Sequence, residues 1–511
     1  MAGALRKKCS SMIGGFRRME QCGSSCMALR CTPRRELRVD LCLLGAPSRI
    51  RTMVMQRLSG WGRTAWTVAD LVHTTDVDVV RSTIGTAGER GVISRGLGRS
   101  YGAAAQNAGG IVLEMTSEND PMGIDADFDP LTGLLTVAAS VSIDAILRMC
   151  VPQGWFIPVT PGTRFVTVGG AIASDIHGKN HHIDGSFGQH VHSLTLMLSS
   201  GEVIELSPEE NAAWFWATVG GMGLTGVVLR ATVAMLKIES SRVEVETVRL
   251  ENFDAVCAAM SADGSDDDYR YSVCWVDLLA TGASMGRGVL TRGDHAVASK
   301  LENKDPLAYD PRLTVSAPGW VPNGLLNKWS IKAFNEAWYR KAPAKSHIGL
   351  ESIPAFFHPL DGVNRWNRLY GKQGFIQYQF IVPLDRTDVL RKVIEKFSAA
   401  GVASFLAVLK RMGPQNGAPM SFPTEGWTLT LDMAAGISGL AELLSEVDTL
   451  VLDAGGRHYL AKDSHVSASA VRRGYPRIDE WMSTQEEMDP IGLWRSDLSR
   501  RLGLVDQRRS L

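Results

Sequence analysis

Arg95-Gly-Leu-Gly-Arg-Ser-Tyr-Gly102 follows directly on Gly91-Val-Ile-Ser, a short apolar run that reads as a buried strand. Glycines in such a turn let backbone N–H groups point inward and approach a pyrophosphate closely, while Arg99 and Ser100 add a positive charge and a hydroxyl. A Gly-x-Gly turn is equally the mark of a tight structural bend, so this stretch decides nothing alone. It does exclude one architecture: no third glycine opens a helix three residues later, as the dinucleotide fingerprint of a doubly wound sheet requires.

Two further glycine clusters lie downstream. Pro161-Gly-Thr-Arg-Phe-Val-Thr-Val-Gly-Gly-Ala171 runs on through Ser174, Asp175, Ile176, His177, Gly178, Lys179, Asn180, His181 and His182, and Val219-Gly-Gly-Met-Gly-Leu-Thr-Gly226 leads into Val227-Val228. The glycine pairs again admit a diphosphate, and His177 with Lys179 places positive charge beside a bound anion. The three histidines lack an accompanying carboxylate or thiolate set, so no metal centre is expected.

Around these clusters, strands alternate with helices. Strands are expected at Ile111-Val-Leu-Glu-Met and Leu131 to Val141, a helix from about Ile143 to Cys150, and a hairpin from Ser193–Met197 and Glu202–Leu206 with Ser200-Gly201 at its turn. Glycine punctuation stops near Lys237 to Ser241, and strands with alternating faces follow, such as Tyr271 to Val276 and Phe375 to Val382. A domain boundary is therefore placed there. The stretch Ser299 to Lys345, rich in Pro, Lys, Trp and Asn with weak periodicity, suits a mobile lid. Near Gly455 the texture of the first half returns, so the tail is expected to fold back onto it.

A chain of 511 residues with 54 Lys/Arg and 54 Asp/Glu is neutral overall, which argues against a nucleic-acid or polyanion partner, and its length suits two domains. The first 55 residues differ in kind: eleven Lys/Arg against three Asp/Glu make them +8, leaving −8 for the rest. They also hold Cys9, Cys22, Cys26, Cys31 and Cys42, at spacings that match no zinc pattern, and they read as a disordered or over-called leader with translation beginning at Met53 or Met55. Cys150, Cys257 and Cys274 sit in apolar surroundings and read as reduced core residues. No run approaches the length needed to span a bilayer, and none fits a secretory signal. That leaves a cytoplasmic protein or one associated with the membrane at the cell envelope, on either face.

In order and spacing, RGLGRSYG, PGT…TVGGAI…HGKNHH and FWATVGGMGLTG (Phe215 to Gly226) together resemble the flavin domain of the vanillyl-alcohol-oxidase superfamily, in particular its branch acting on polyprenylphosphoryl-ribose. The resemblance runs from about Leu58 to the C-terminus and includes Phe356-Phe-His-Pro-Leu, Gln377-Tyr-Gln379, the segment Phe405 to Pro423 and Ala461-Lys-Asp-Ser464. It implies an α+β, two-domain fold: an FAD-binding domain at 56–240, closed by the C-terminal segment 457–511, and an antiparallel-sheet substrate domain at 241–456.

The resemblance also implies site roles, position by position. Arg95, Gly96, Gly98, Arg99, Ser100, Tyr101, Pro161, Gly162, Thr163, Thr167, Gly169, Gly170, Ile176, His177, Val228 and Tyr459 match positions that wrap FAD. Arg99 stands where many superfamily members carry a tethering histidine, so non-covalent FAD is expected. Lys462, His177 and Lys410 match the catalytic surroundings of the flavin ring, where the Lys462 ammonium stabilises the negative charge left by hydride transfer. Lys179, Trp275, Gln377, Gln379, Lys410 and Thr430 match the substrate lining. Two departures stand out: Phe357 replaces a frequent tyrosine, and Thr430 with Thr428 replaces a cysteine and a nearby asparagine. That cysteine is the attachment point of covalent nitro-aromatic inhibitors, so its absence implies resistance to them.

The implied activity is oxidation of the ribose 2′-hydroxyl of a polyprenylphosphoryl-β-D-ribose. An NAD(P)H-dependent short-chain reductase partner and peripheral membrane contact come with it. An alditol or aldonolactone oxidase using oxygen remains as an alternative, weakened by Arg99 and by the lack of a His-Trp-Gly signature near the C-terminus. A non-catalytic flavin or lipid-sugar binder remains as a second.

Overall fold

The computed structural model describes residues 28–31, 37–40, 52–117, 124–302, 305–311 and 315–505. It divides into two compact units, Met1–Met55 and Gln56–Leu511. In the first, strands Ala28–Cys31 and Leu37–Asp40 pair antiparallel; apart from these, the reading of the leader lies outside the described residues. The second unit holds the three glycine clusters and the strands that follow them.

The glycine-rich half builds two sheets. Strands Trp66–His73, Ile111–Glu114 and Val92–Arg95 are parallel neighbours, which puts the end of Val92–Arg95, and so the Arg95–Gly102 turn, at one edge. The second sheet has five strands in the order Val203–Leu206, Val191–Met197, Val227–Ala234, Leu134–Ala138 and Ala126–Asp129, all antiparallel. The Val191–Leu206 hairpin turns where expected, with Gly201 at φ +83°. Helix Ile143–Cys150 forms because Ser142 caps it, its hydroxyl accepting from the Ala145 N–H at 3.1 Å, and because Ile143, Ile146, Leu147 and Cys150 meet the core.

The other half is one antiparallel sheet of eight strands. Their order is His347–Ser352, Arg242–Leu250, Gly288–His295, Tyr271–Val276, Ala407–Met412, Gly426–Ala434, Phe375–Val382 and Arg457–His458. The strands at 271–276 and 375–382 coincide with those read from alternation. One sheet face, with Cys274, Leu290, Leu409, Leu429, Leu431, Tyr378 and Phe380, packs into a core with helices Phe253–Ala259, Thr387–Ala399 and Leu440–Asp453. Truncating any fully buried leucine here to alanine costs about 2–5 kcal/mol. The opposite face looks toward the glycine-rich half. Arg457–His458 belongs to the C-terminal segment, so the returning chain enters this sheet before the helices Ala468–Gly474 and Ile478–Met488 join the core of the first half.

Within the stretch Ser299 to Lys345 lies a 14-residue helix, Lys328–Lys341, opened by a capping box at Asn327 and Ser330. Its periodicity is weak as a core signal because only Ile331 and Asn335 are buried, while Phe334 and Trp338 are each 44% exposed and Trp329 is more so.

Candidate active site

Pleating of the antiparallel sheet explains how residues far apart in sequence come to share one wall. Register places Trp275 opposite Val408, Val408 opposite Thr430, and Thr430 opposite Gln379, so these four form a row across four strands. To one side of this row Gln377 faces Asp432, and to the other Lys410 faces Thr428. Side chains two apart point the same way, so Gln377, Gln379, Lys410, Thr430 and Trp275 all line the same cavity.

That cavity has a volume of about 430 Å³ and continues between the sheet and the glycine clusters. Of the residues matched to flavin positions, Gly96 to Tyr101, Pro161 to Thr163, Thr167, Gly169, Gly170, Ile176, His177 and Tyr459 line it, as do Lys179 and Lys462. Two do not. Arg95 and Val228 line a smaller adjoining cavity, and the Arg95 guanidinium donates to the carbonyls of Ala105 (3.0 Å) and Ser59 (2.9 Å), so it braces the turn from beneath.

The turn's glycines have specific causes. Gly98 has φ +65°, and a Cβ there would lie 2.3 Å from the Arg95 guanidinium. At Gly102 a Cβ would lie 1.8 Å from the Asp463 carbonyl, so only glycine lets the turn close on the returning C-terminal segment. That contact is reinforced by the Tyr101 N–H, which donates to the Ala461 carbonyl at 2.9 Å, and it brings Lys462 Nζ to 4.1 Å from the Tyr101 ring centroid. The Pro161-Gly-Thr-Arg loop is fastened by carboxylates: Asp361 accepts from the Thr163 hydroxyl (2.7 Å) and the Arg164 N–H (2.8 Å), and Asp144 accepts from Arg164 Nε (2.5 Å).

The residues present fit a dinucleotide flavin. Gly162 opens onto free space where a Cβ would meet nothing, and the Arg99 guanidinium, stacked 4.0 Å over Trp61, keeps a buried Nε without a partner. Among the described residues lining the cavity, His177 is the only histidine and there is no cysteine. Both nitrogens of His177 are engaged, Nδ1 by Lys410 Nζ at 2.9 Å and Nε2 by the Gln379 amide at 2.9 Å.

The electrostatics are unusual. Burial first, then the Lys410 charge, push His177 well below its ordinary range, so the ring is neutral. Burial also lowers Lys410 to about 7, with Lys462 and Lys179 adding repulsion, and lowers Lys462 and Lys179 each to about 8. Three amines confined in one cavity cannot all hold a proton at alkaline pH. His181 and His182 point elsewhere: His181 Nδ1 accepts from the Gly413 N–H, and His182 Nε2 meets the Tyr269 carbonyl.

Two carboxylates here carry roles that sequence reasoning missed. Asp432 is buried, accepts from the Gln377 amide at 2.5 Å, and leaves its other oxygen without a partner; burial raises it to about 7, while Lys462 opposes that rise. The alternation Thr428-Leu-Thr-Leu-Asp432 puts Asp432 on the strand face of Thr430, but nothing in it points to Gln377. Asp175 sits at φ +38° just before Ile176-His177 and accepts from Ser186 Oγ, the Gly188 N–H, Asn416 Nδ2 and Ser421 Oγ. That knot holds a strained backbone in place and so fixes where His177 points.

Comparison with known proteins agrees with this geometry. The family pattern described as an FAD binding domain matches residues 68–207. The chain is 44% identical over 457 residues to the decaprenylphosphoryl-beta-D-ribose oxidase of Mycolicibacterium smegmatis, covering 88% of this chain and 98% of that protein. It is 35% identical over 376 residues to an uncharacterized protein in the mprA 5′ region of Streptomyces coelicolor, covering 71% and 100%. Cytokinin dehydrogenase 10 of Oryza sativa subsp. japonica shares 31% over 171 residues, 32% of this chain and 30% of that enzyme.

Proposed function

The chain belongs to the decaprenylphosphoryl-β-D-ribose oxidase family, and from that premise we propose that it oxidises the 2′-hydroxyl of a polyprenylphosphoryl-β-D-ribose to the 2′-keto sugar. It is an FAD-dependent oxidoreductase. FAD, when bound, supplies the hydride acceptor for the sugar C–H. The remaining work falls to side chains.

The observation that carries the reading is the convergence of Lys410, His177, Gln379, Gln377 and Lys462 on one otherwise largely apolar cavity. Lys410 is the proton acceptor in this proposal. As a neutral amine it has two N–H groups, which donate to His177 Nδ1 (2.9 Å) and the Gly178 carbonyl (3.2 Å), leaving its lone pair for the cavity. A value of about 7 suits a base working near neutrality. On the other side of the ring the Gln379 amide nitrogen lies 2.9 Å from His177 Nε2 and donates to Thr428 Oγ1 at 3.1 Å, so the imidazole is held from both edges. Lys462 stays cationic beside Asp432 and offsets negative charge that develops as the hydride leaves. Gln377, Gln379 and Lys179 orient sugar hydroxyls or the phosphate.

The domain division at 56–240 with 457–511, and 241–456, goes with this reading. It is supported by an apolar core that lies wholly within 241–456, while twelve buried residues of that span, Tyr271, Phe356 and Phe357 among them, pack into the core of the first half. An NAD(P)H-dependent short-chain reductase would reduce the ketone from the opposite face, completing epimerisation to an arabinose donor for cell-wall arabinan. No helix among the described residues is long and apolar enough to cross a membrane; peripheral contact at the cell envelope is part of the proposal.

Anaerobic addition of a polyprenylphosphoryl-ribose analogue to the holoenzyme tests it: the flavin absorbance should bleach with the riboside and not with free polyols. Lys462→Ala should retain FAD yet reduce it far more slowly. Bleaching and peroxide release with free polyols would instead favour the alditol or aldonolactone oxidase.

A further inference from the structure

Helix Lys328–Lys341 is amphipathic in the wrong sense for a globular protein. Its inward side is narrow and partly polar: Ile331 is buried, and buried Asn335 donates to Asp277 at 2.7 Å. The half of the helical wheel that, at 100° per residue, carries Trp329, Ala333, Phe334, Ala337 and Trp338 also carries Ser330, Arg340 and Lys341, and Phe334 meets Phe405 edge-on at 6.1 Å. Trp329 is 78% exposed, and Trp320, in the loop that leads to the helix, is 80% exposed. Clustered exposed aromatics of this size mark a contact surface, whereas scattered ones do not.

The helix is not a frayed segment. Asn327 accepts from the N–H groups of Trp329 and Ser330, and Glu336 pairs with Arg287, which also holds Asp277. The aromatic face is thus presented on a pinned support. It adjoins the site, since Trp338 lines the cavity.

Charge identifies the occupant. Between residues 315 and 350 stand Lys328, Lys332, Arg340, Lys341 and Lys345 against a single acid, Glu336, which Arg287 and Arg340 already neutralise. Arg368, which donates to the Ala317 carbonyl at 3.4 Å, lies in the field of Arg365 and Arg63 and extends this basic rim. A second copy placed face to face would set these cations against their equivalents, which disfavours a dimer. Aromatics and aliphatics within a Lys/Arg rim match an interface of acyl chains and anionic phosphates.

We propose that the face formed by Trp320, Trp329, Phe334 and Trp338 docks on an anionic phospholipid surface, with the basic rim on the headgroups and the cavity mouth turned to the bilayer. A lipid-linked sugar then enters without its polyprenyl chain crossing water. The purpose assigned to the surface rests on the proposed substrate; the docking itself does not.

The test is sedimentation of the holoenzyme with vesicles of phosphatidylcholine alone or mixed with phosphatidylglycerol, comparing wild type with Trp320→Ser/Trp329→Ser and Lys328→Glu/Lys332→Glu. Wild type is expected to sediment with phosphatidylglycerol vesicles, and about tenfold more weakly with phosphatidylcholine alone or at high salt. Each double variant is expected to lose about tenfold in partitioning while retaining flavin and oxidising a short-chain, water-soluble riboside normally. Wild type that stays in solution, variants that bind like wild type, or a wild-type dimer that Trp320→Ser/Trp329→Ser dissociates would each overturn the proposal. Failure to oxidise the soluble riboside would count against the proposed reaction and leave vesicle binding to be judged separately.

Discussion

Lys410 Nζ and His177 Nδ1 are 2.9 Å apart, and a Lys410 ammonium, which has no lone pair, can only donate to that nitrogen. The pair therefore places the titration on Lys410, at about 7, and none on His177 in the working range. Below pH 7 the ammonium has no lone pair, so the rate of flavin reduction should rise as pH passes through about 7. Lys462, at about 8, loses its charge above that point, so the rate should fall on the alkaline side. A bell with limbs near 7 and 8 is the expected profile in anaerobic stopped flow, and Lys410→Met should abolish the acid limb and lower the maximum by about a hundredfold or more. An acid limb that survives in the variant would remove Lys410 from the proton transfer.

Asp432 is the competitor for that limb, because its carboxyl also lies at about 7. Its other effect differs in sign. Ionised Asp432 supports the Lys462 charge, so Asp432→Asn should let the lysine value drop and move the alkaline limb to lower pH while the acid limb stays. Loss of the acid limb in Asp432→Asn, with the alkaline limb fixed, would make Asp432 the base instead.

How far the sequence foretold this arrangement depends on how local each feature is. The Arg95–Gly102 turn, helix Ile143–Cys150 and the hairpin at 200–201 depend on neighbours in the chain and were legible. Asp432 was not, because its partner Gln377 is 55 positions away and its importance lies in cross-strand register. Asp175 was read only as part of a polar run. Its four partners come from two separate segments, and its left-handed backbone has no sequence signature in a non-glycine residue. Helix Lys328–Lys341 escaped because only Ile331 and Asn335 of its fourteen residues are buried, too few to set a core-seeking period.

Gly98 offers a direct test of the cofactor cradle. Alanine there is strained by the positive φ and would displace the Arg95 guanidinium from its two carbonyl partners, at a cost of about 1–3 kcal/mol. The strain falls on the turn and not on either apolar core, so Gly98→Ala should fold, with FAD affinity reduced about tenfold or more. Acid precipitation should release the flavin of both proteins to the supernatant, because Arg99 offers no tether. Flavin retained in the wild-type pellet would contradict the non-covalent assignment, and unchanged affinity in the variant would mean that the turn does not hold the cofactor.

Thr430 tests the substrate wall. It lies in the row between Val408 and Gln379, lines the cavity, and is only 6% exposed, so a thiol at this position would face the ligand at close range. Thr430→Cys changes volume little and keeps the strand register, so folding and flavin content should match wild type. The expected outcome is a change in inhibitor response: a nitro-aromatic compound that needs enzymatic reduction before it reacts should label the variant with one adduct per chain during turnover, and leave wild type unlabelled, as read by intact mass. Labelling that appears without substrate would indicate simple thiol reactivity. Absence of labelling under turnover would place residue 430 out of reach of the flavin-activated ligand, and with it the sugar end of the proposed binding mode.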